Sequence, residues 1–386
     1  MSKQLLFIPG PVTVSDEVLA AMAKPMVDHR GPEYKAIQDE IREKLQPVFG
    51  TTSEIHLLGG SGTGGLEAAV TNLFAPGEKV LACPIGVFGN RLIQISKTWG
   101  IDVEILETEW GGATDPQALR KRLEADTKKE IKGVLLTHNE TSTGAQCDMA
   151  ALAEAIRPHG AYTLVDSVSG MAAAEFKMDA WGYDIVVAAS QKALAVPPGM
   201  AMVAVTPRAW EKMEKLPTAR YYFDLRKARQ FAQIGQTPWT PPVSVAYALQ
   251  VGLNRYFKEG PANVWSRHDR YTKAIIAAAK AMNLQIFSAP GAHSVTVTAI
   301  HVPAGIDGDG IRKNLRVNQN VVLGGGQEKL AGKIVRIGTM GDITEQDVLN
   351  MLGAFETELA KAGHKLQAGA GVDAAKRALK GEAVPA

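Results

Sequence analysis

Between residues 55 and 205 the chain repeats one alternation: a short apolar run of strand length, then a segment of helical period. Candidate strands are residues 55–58, 79–82, 102–106, 133–137, 162–166, 185–188 and 200–205, and helical segments lie between most of them, for example 151–157 after Asp148. Apolar, β-branched runs separated by helices fit strands buried on both faces, so the expected fold is α/β with a mostly parallel sheet covered by helices. Sheets of this kind place ligands at the carboxyl ends of their strands.

The pattern changes after a long amphipathic stretch, 243–258, which ends at Glu259, Gly260 and Pro261. Residues 294–302 alternate like an antiparallel strand, 334–337 read as another short strand, and Thr344 to Asp347 opens a helix with a capping-box-like pattern. Val348, Leu349, Met351, Leu352, Phe355 and Leu359 give that helix one apolar face, which should pack on a small sheet. The expected organisation is an N-terminal arm (1–17), a large domain (18–258), a smaller C-terminal α+β domain (259–365) and a tail (366–386). The tail is dominated by Ala and Gly and lacks aromatic anchors, so a frayed helix or a disordered segment is expected there.

At 386 residues, 46% hydrophobic and 21% charged, the chain exceeds the usual single-core size. Its 42 basic and 40 acidic side chains give a net charge of +2 without long runs, which leaves no electrostatic footprint for nucleic acid or membrane. A small molecule is the expected partner. The opening MSKQLLFIPGPV is too short in apolar residues for a signal peptide, and nothing later reads as a membrane span, so a cytoplasmic protein is expected. Two cysteines, Cys83 and Cys147, and eight scattered histidines form no pattern for a disulfide framework or a metal site.

Lys192 is the only ionisable group from Ser190 to Met200, set between small residues and a Pro-Pro-Gly turn. Upstream, the run AYTLVD ends in Asp166, a carboxylate that is costly at the end of a buried strand unless it meets a cation. Further upstream, GGSGTGG (59–65) opens a helix whose free N–H groups and positive dipole end suit a phosphate. A lysine in an apolar pocket, an acid at a strand end and a phosphate cradle together satisfy pyridoxal 5'-phosphate. Lys192 would carry its aldehyde and Asp166 would keep its ring nitrogen protonated.

The segment VDSVSGMAAAEFKMDAWGYDIVVAASQKALAVPPGMA resembles the core of the class V, fold type I aminotransferases, in particular their alanine–glyoxylate and serine–glyoxylate branch. FIPGPV, DHRGPEY, GSGTGGLEAA, THNETSTG, TPPVS and GKIVRIGTMG extend the resemblance over roughly residues 5–360. It implies a large domain built on a seven-stranded sheet, a homodimer with shared active sites, and transamination of alanine or serine with glyoxylate or pyruvate. Ser61, Gly62 and Thr63 would bind the cofactor phosphate, helped by Gln191 and by Thr240 from the neighbouring subunit. Phe88 and Val168 would cover the two ring faces, Thr141 would sit at the ring edge, and Arg336 would grip the substrate carboxylate bidentately. Mammalian-type relatives have Trp in place of Phe88 and a tyrosine near Thr237. No second arginine is evident for a distal carboxylate, which favours alanine or serine over aspartate. No added basic residues are evident for the phosphate of phosphoserine.

Other readings are weaker. Gly60, Gly62 and Gly65 match a dinucleotide fingerprint, as in an NAD-dependent oxidoreductase, but the next strand ends in Cys83 and Pro84 rather than in an acid. Cysteine desulfurases need a cysteine late in the chain, where none occurs. Some proteins of this branch are labelled small subunits of a soluble hydrogenase, which suggests a non-catalytic role, but the lysine, acid and arginine set is intact. His29 and His138 receive no catalytic role.

Overall fold

The computed structural model describes residues 4–217 and 220–382. In chain order its strands are β1 (Leu5–Phe7), β2 (Glu54–Gly59), β3 (Lys79–Cys83), β4 (Asp102–Ile105), β5 (Ile131–Thr137), β6 (Asn139–Glu140), β7 (Ala145–Gln146), β8 (Tyr162–Asp166), β9 (Ile185–Ala189), β10 (Met200–Val205), β11 (Val297–His301), β12 (Val321–Gly325) and β13 (Ile334–Gly338). The large sheet has seven strands in the order β2-β10-β9-β8-β5-β3-β4. Pairing is parallel from β9 across to β4, and β10 runs antiparallel to both its neighbours. The expected mostly parallel sheet is therefore present, and its strand ends lie within two residues of the sequence reading.

Period-2 alternation explains why these strands read as continuous apolar runs. Val80, Ala82, Leu135, Leu164, Val187 and Val203 join one apolar layer, while Leu81, Cys83, Leu136, Val165, Val186 and Met202 join the other. Both faces are buried, so neither set of positions tolerates polar residues. The helix Gly62–Leu73 packs its Leu66, Ala69 and Leu73 into the first layer, and the helices Pro32–Phe49 and Val243–Glu259 pack into the second.

A four-stranded sheet, β1-β12-β13-β11, carries the second core. Phe7, Ile300, Leu323, Val335 and Ile337 meet apolar residues of the helices Pro261–Ala281 and Glu345–Lys361. The latter helix starts in the capping box expected from the sequence, Thr344 and Asp347 each accepting from the other's backbone N–H. Three details differ from the sequence reading. The N-terminal arm supplies β1, which pairs parallel with β12 more than 300 positions later; three residues are too few for periodicity to reveal, and β12 itself was not anticipated. The strand expected over 294–302 spans only Val297–His301, because the Ser294 hydroxyl accepts from the backbone N–H groups of Thr296 and Val297 and holds a turn. The tail is neither frayed nor disordered over Ala370–Leu379, a helix packed on the Pro261–Ala281 helix. Its anchors are small: Ala374 and Ala375 are buried, and alanine both favours helix and permits close approach.

Among the described residues no helix is long and apolar enough to cross a membrane.

Candidate active site

The loops after β2, β3, β5 and β8, with the β9–β10 connection, gather at one edge of the large sheet and surround a cavity of about 260 Å³. Ser61, Gly62, Thr63, Phe88, Thr141, Asp166, Val168, Gln191 and Lys192 all line it, from segments spread over more than 130 positions. Arg336 is buried on β13, and Thr240 lies elsewhere.

Lys192 sits on the β9–β10 connection, and its Nζ donates to the Pro9 carbonyl at 2.6 Å. Burial pushes its pKa down to about 8; Asp166 opposes that shift and the Arg336 and Arg91 charges add to it. Asp166 ends β8 in the sheet interior, where Oδ1 accepts from the Val168 N–H at 3.0 Å. Burial raises its pKa to about 7; Glu140 adds to the rise, while Lys192 and Arg91 oppose it. A buried acid held mainly by one backbone N–H is costly unless a cation reaches it.

Gly62 opens the Gly62–Leu73 helix behind the N-cap Ser61, whose side chain makes no capping bond. The first N–H groups of that helix therefore remain available to an anion. A Cβ on Gly62 would lie 2.7 Å from Val168 Cγ2, so glycine lets the helix start press against the residue that follows Asp166 by two positions. The Gln191 Oε1 is buried with no hydrogen-bond partner among the described residues, an unmet polar group lining the cavity. Phe88 is half-buried in the cavity lining, with the Arg91 guanidinium carbon 4.6 Å from its ring centre. An orphaned polar atom, a glycine-lined anion cradle, an aromatic wall, an unpaired acid and an amine of lowered pKa fit a phosphorylated pyridine aldehyde.

Arg336 uses two donors on backbone carbonyls: Nε on Gly325 at 2.7 Å and Nη1 on Thr141 at 2.8 Å. Burial lowers its pKa to about 10, against the pull of Glu140. Thr240 is exposed beside Thr237, Tyr222 and Trp239, so its own chain does not bring it to the cavity.

The sequence reading missed Gly10, Arg91, Asn139 and Ser169, which also line the cavity. Arg91 corrects the expectation that no second arginine is at hand: among the described residues no carboxylate pairs with it, and its Nη1 lies 3.4 Å from Thr63 Oγ1. Its signal was the three-residue spacing that puts it one turn after Phe88 on the helix Val87–Thr98. A larger cleft of about 500 Å³ lies behind the lysine loop, but its Arg255 already bridges Glu17 and Asp342. The dinucleotide reading fails on topology. β2 and β3 are separated by four strands, whereas the fingerprint needs adjacent parallel strands around its helix.

A mostly parallel sheet with a half-buried lysine and a buried acid at its carboxyl edge defines a cofactor-dependent enzyme of fold type I. The chain belongs to the aminotransferase class-V family, whose model matches residues 13–351, and it is an aminotransferase. It is 38% identical to the soluble hydrogenase 42 kDa subunit of Anabaena cylindrica, over 97% of this chain and 98% of that one. It is 37% identical to the serine–glyoxylate aminotransferase of Methylorubrum extorquens, over 97% and 96% of the two chains. The structure of ureidoglycine–glyoxylate aminotransferase from Bacillus subtilis superposes with a TM-score of 0.93 at 31% identity, over 98% of this chain and 99% of that one.

Proposed function

We propose that the protein is a pyridoxal 5'-phosphate-dependent transaminase that moves the amino group of alanine or serine to glyoxylate or pyruvate. The observation that carries this reading is the pairing in one cavity of Lys192, with its pKa lowered to about 8, and Asp166, with its pKa raised to about 7. Bound there, the cofactor would supply an electron sink for the bond broken at the donor's α-carbon. Lys192 Nζ would hold the cofactor's aldehyde, and as a free amine it would take the donor's α-proton and later return one. Desolvation keeps that amine neutral enough to accept the proton near neutral pH. The Asp166 carboxylate would hold the ring nitrogen's proton, and Phe88 and Val168 would cover the two faces. Ser61, Gly62, Thr63 and Gln191 would hold the phosphate, Thr141 would border the ring, and Arg336 would hold the donor carboxylate through the donors its backbone partners leave free.

Thr240 completes the phosphate site of a partner copy in this reading, which makes the enzyme a homodimer with shared sites. Exposed Tyr221 and Tyr222, stacked on Trp239 beside Thr240, support a covered surface there. Two buried free cysteines agree with the reducing cytoplasm. One observation favours a second donor class: Arg91, a cavity guanidinium without a carboxylate partner among the described residues, suits the distal carboxylate of aspartate.

Borohydride reduction of the violet-absorbing holoprotein, followed by peptide mapping, should leave the pyridoxyl label on Lys192. A label on another lysine, or none, rejects the reading. Mixing the holoprotein with each amino acid and following loss of the visible band then ranks alanine, serine and aspartate.

A further inference from the structure

The helix Val87–Thr98 carries Phe88 and Arg91 to the cavity, yet its N-cap is Gly86, which has no side chain to satisfy the first N–H groups. Those donors are met by a turn more than 50 positions later in the chain. The Val87 N–H donates to Ser142 Oγ at 2.9 Å, and the N–H groups of Phe88 and Gly89 donate to Glu140 Oε2 at 2.9 and 3.1 Å. The other carboxylate oxygen, Oε1, accepts from the Ser142 N–H at 3.0 Å and its hydroxyl at 2.7 Å. Thr143 Oγ1 adds a bond to the Ile85 carbonyl at 3.1 Å.

Glu140 is fully buried, and among the described residues no Lys or Arg makes a salt bridge with it. Desolvation raises its pKa, against the pull of these four donors. Every hydrogen-bond partner of its side chain is a donor, and the positive end of a helix faces it, an arrangement made for the ionised form. The approach requires glycine: a Cβ on Gly86 would lie 2.5 Å from both Glu140 Cγ and Ser142 Oγ. Residue 141 follows at once, and its carbonyl accepts from Arg336 Nη1. One carboxylate thus joins the wall carrying Phe88 to the turn that holds Arg336.

We infer that Glu140 is a positioning residue: it caps the Phe88 helix from a remote turn and so fixes the aromatic wall of the cavity relative to the Arg336 guanidinium. The inference rests on the functional reading above only for its consequence, that cofactor stacking and carboxylate binding are set by one clamp. Glu140→Gln removes one acceptor oxygen and puts an N–H in its place, so either the helix N–H groups or the Ser142 donors face another donor.

Two measurements test it. In the cofactor-free protein, amide hydrogen exchange across residues 85–92 should quicken by about tenfold in Glu140→Gln, the order expected for losing a net hydrogen bond. In the holoprotein, the half-reaction rate with serine is compared for wild type, Glu140→Gln, Arg336→Lys and the double variant. If the clamp acts through Arg336, the double variant loses less than the product of the single losses. Unchanged exchange overturns the clamp, and losses that simply multiply overturn its link to Arg336. Should Glu140→Gln not fold, Ser142→Ala, which leaves the Val87 N–H without its acceptor and takes the hydroxyl donor from Oε1, decides by the same two readouts. A wild type without a visible band or half-reaction rejects the functional reading, while hydrogen exchange still judges the clamp.

Discussion

The Lys192 amine donates to the carbonyl of Pro9, 183 positions earlier in the chain, so the N-terminal arm forms one wall of the lysine's site. Gly10 completes that wall. Its φ of +133° is a glycine conformation, and a Cβ there would lie 2.8 Å from Lys192 Nζ. Gly10→Ala should therefore displace the amine and strain the arm together. The expected result is a stability loss of about 1–3 kcal/mol, with the half-reaction rate falling by a larger factor than thermal unfolding alone would cause. Thermal melts and single-turnover rates check it; a fully active Gly10→Ala means the arm only passes the site.

The lowered pKa of Lys192 predicts a distinctive reactivity in the cofactor-free protein. An amine reacts as its neutral form, and burial shifts the half-neutral point from 10.5 to about 8. Competitive labelling with acetic anhydride should therefore show Lys192 reactivity rising through about pH 8, where ordinary lysines remain protonated. The sign of the partner effect is fixed too: the Asp166 charge raises the lysine's pKa, so Asp166→Asn should move the midpoint lower. A midpoint near 10 in the wild type would mean the amine is solvated.

What the sequence disclosed follows from where the information lies. Lys192 and Asp166 stand out because each is an ionisable group in an apolar stretch, a conflict visible in a short window. The large sheet is legible for the same reason: its strands bury both faces, so each reads as a bare apolar run. β1 is not, since three residues gain their meaning only from pairing with Val321 to Leu323. Glu140 sits inside the THNETSTG motif, which by itself assigns it no role; only its contacts to Phe88 and Gly89, about 50 positions away, give it one. Arg91 stayed hidden because a charge on a helix is ordinary until the cavity beside it is known.

Thr240 offers a test of the shared site. It is exposed and outside its own chain's cavity, so its proposed phosphate contact must be made in a partner copy. Thr240→Glu would set a carboxylate against that phosphate and Lys192→Ala would remove the amine, so each homodimer should be inactive. A mixed dimer would regain one intact site, with Lys192 from one chain and Thr240 from the other. Co-expression should restore activity to about half of wild type per mixed dimer, as independent sites require. No recovery in an isolated mixed dimer would place both residues in one chain's site, and an active Thr240→Glu homodimer would remove Thr240 from it.

Arg336 decides whether the enzyme acts on α-amino acids at all. Two of its donors hold the Gly325 and Thr141 carbonyls, which orient the guanidinium before any substrate arrives. Arg336→Lys keeps the charge but loses the planar fork, and its ammonium would have to choose between those carbonyls and the donor carboxylate. Charge-assisted hydrogen bonds of this kind contribute roughly 1.5–3 kcal/mol each, so kcat/KM for serine or alanine should fall by about tenfold to a few hundredfold. The resting visible band should persist, because Lys192 and Asp166 are untouched. The control is a simple primary amine without a carboxylate, whose slow half-reaction should be nearly unaffected. An equal loss with that amine would show that Arg336 supports the cavity without binding the carboxylate, and an unchanged rate with serine would remove it from the site.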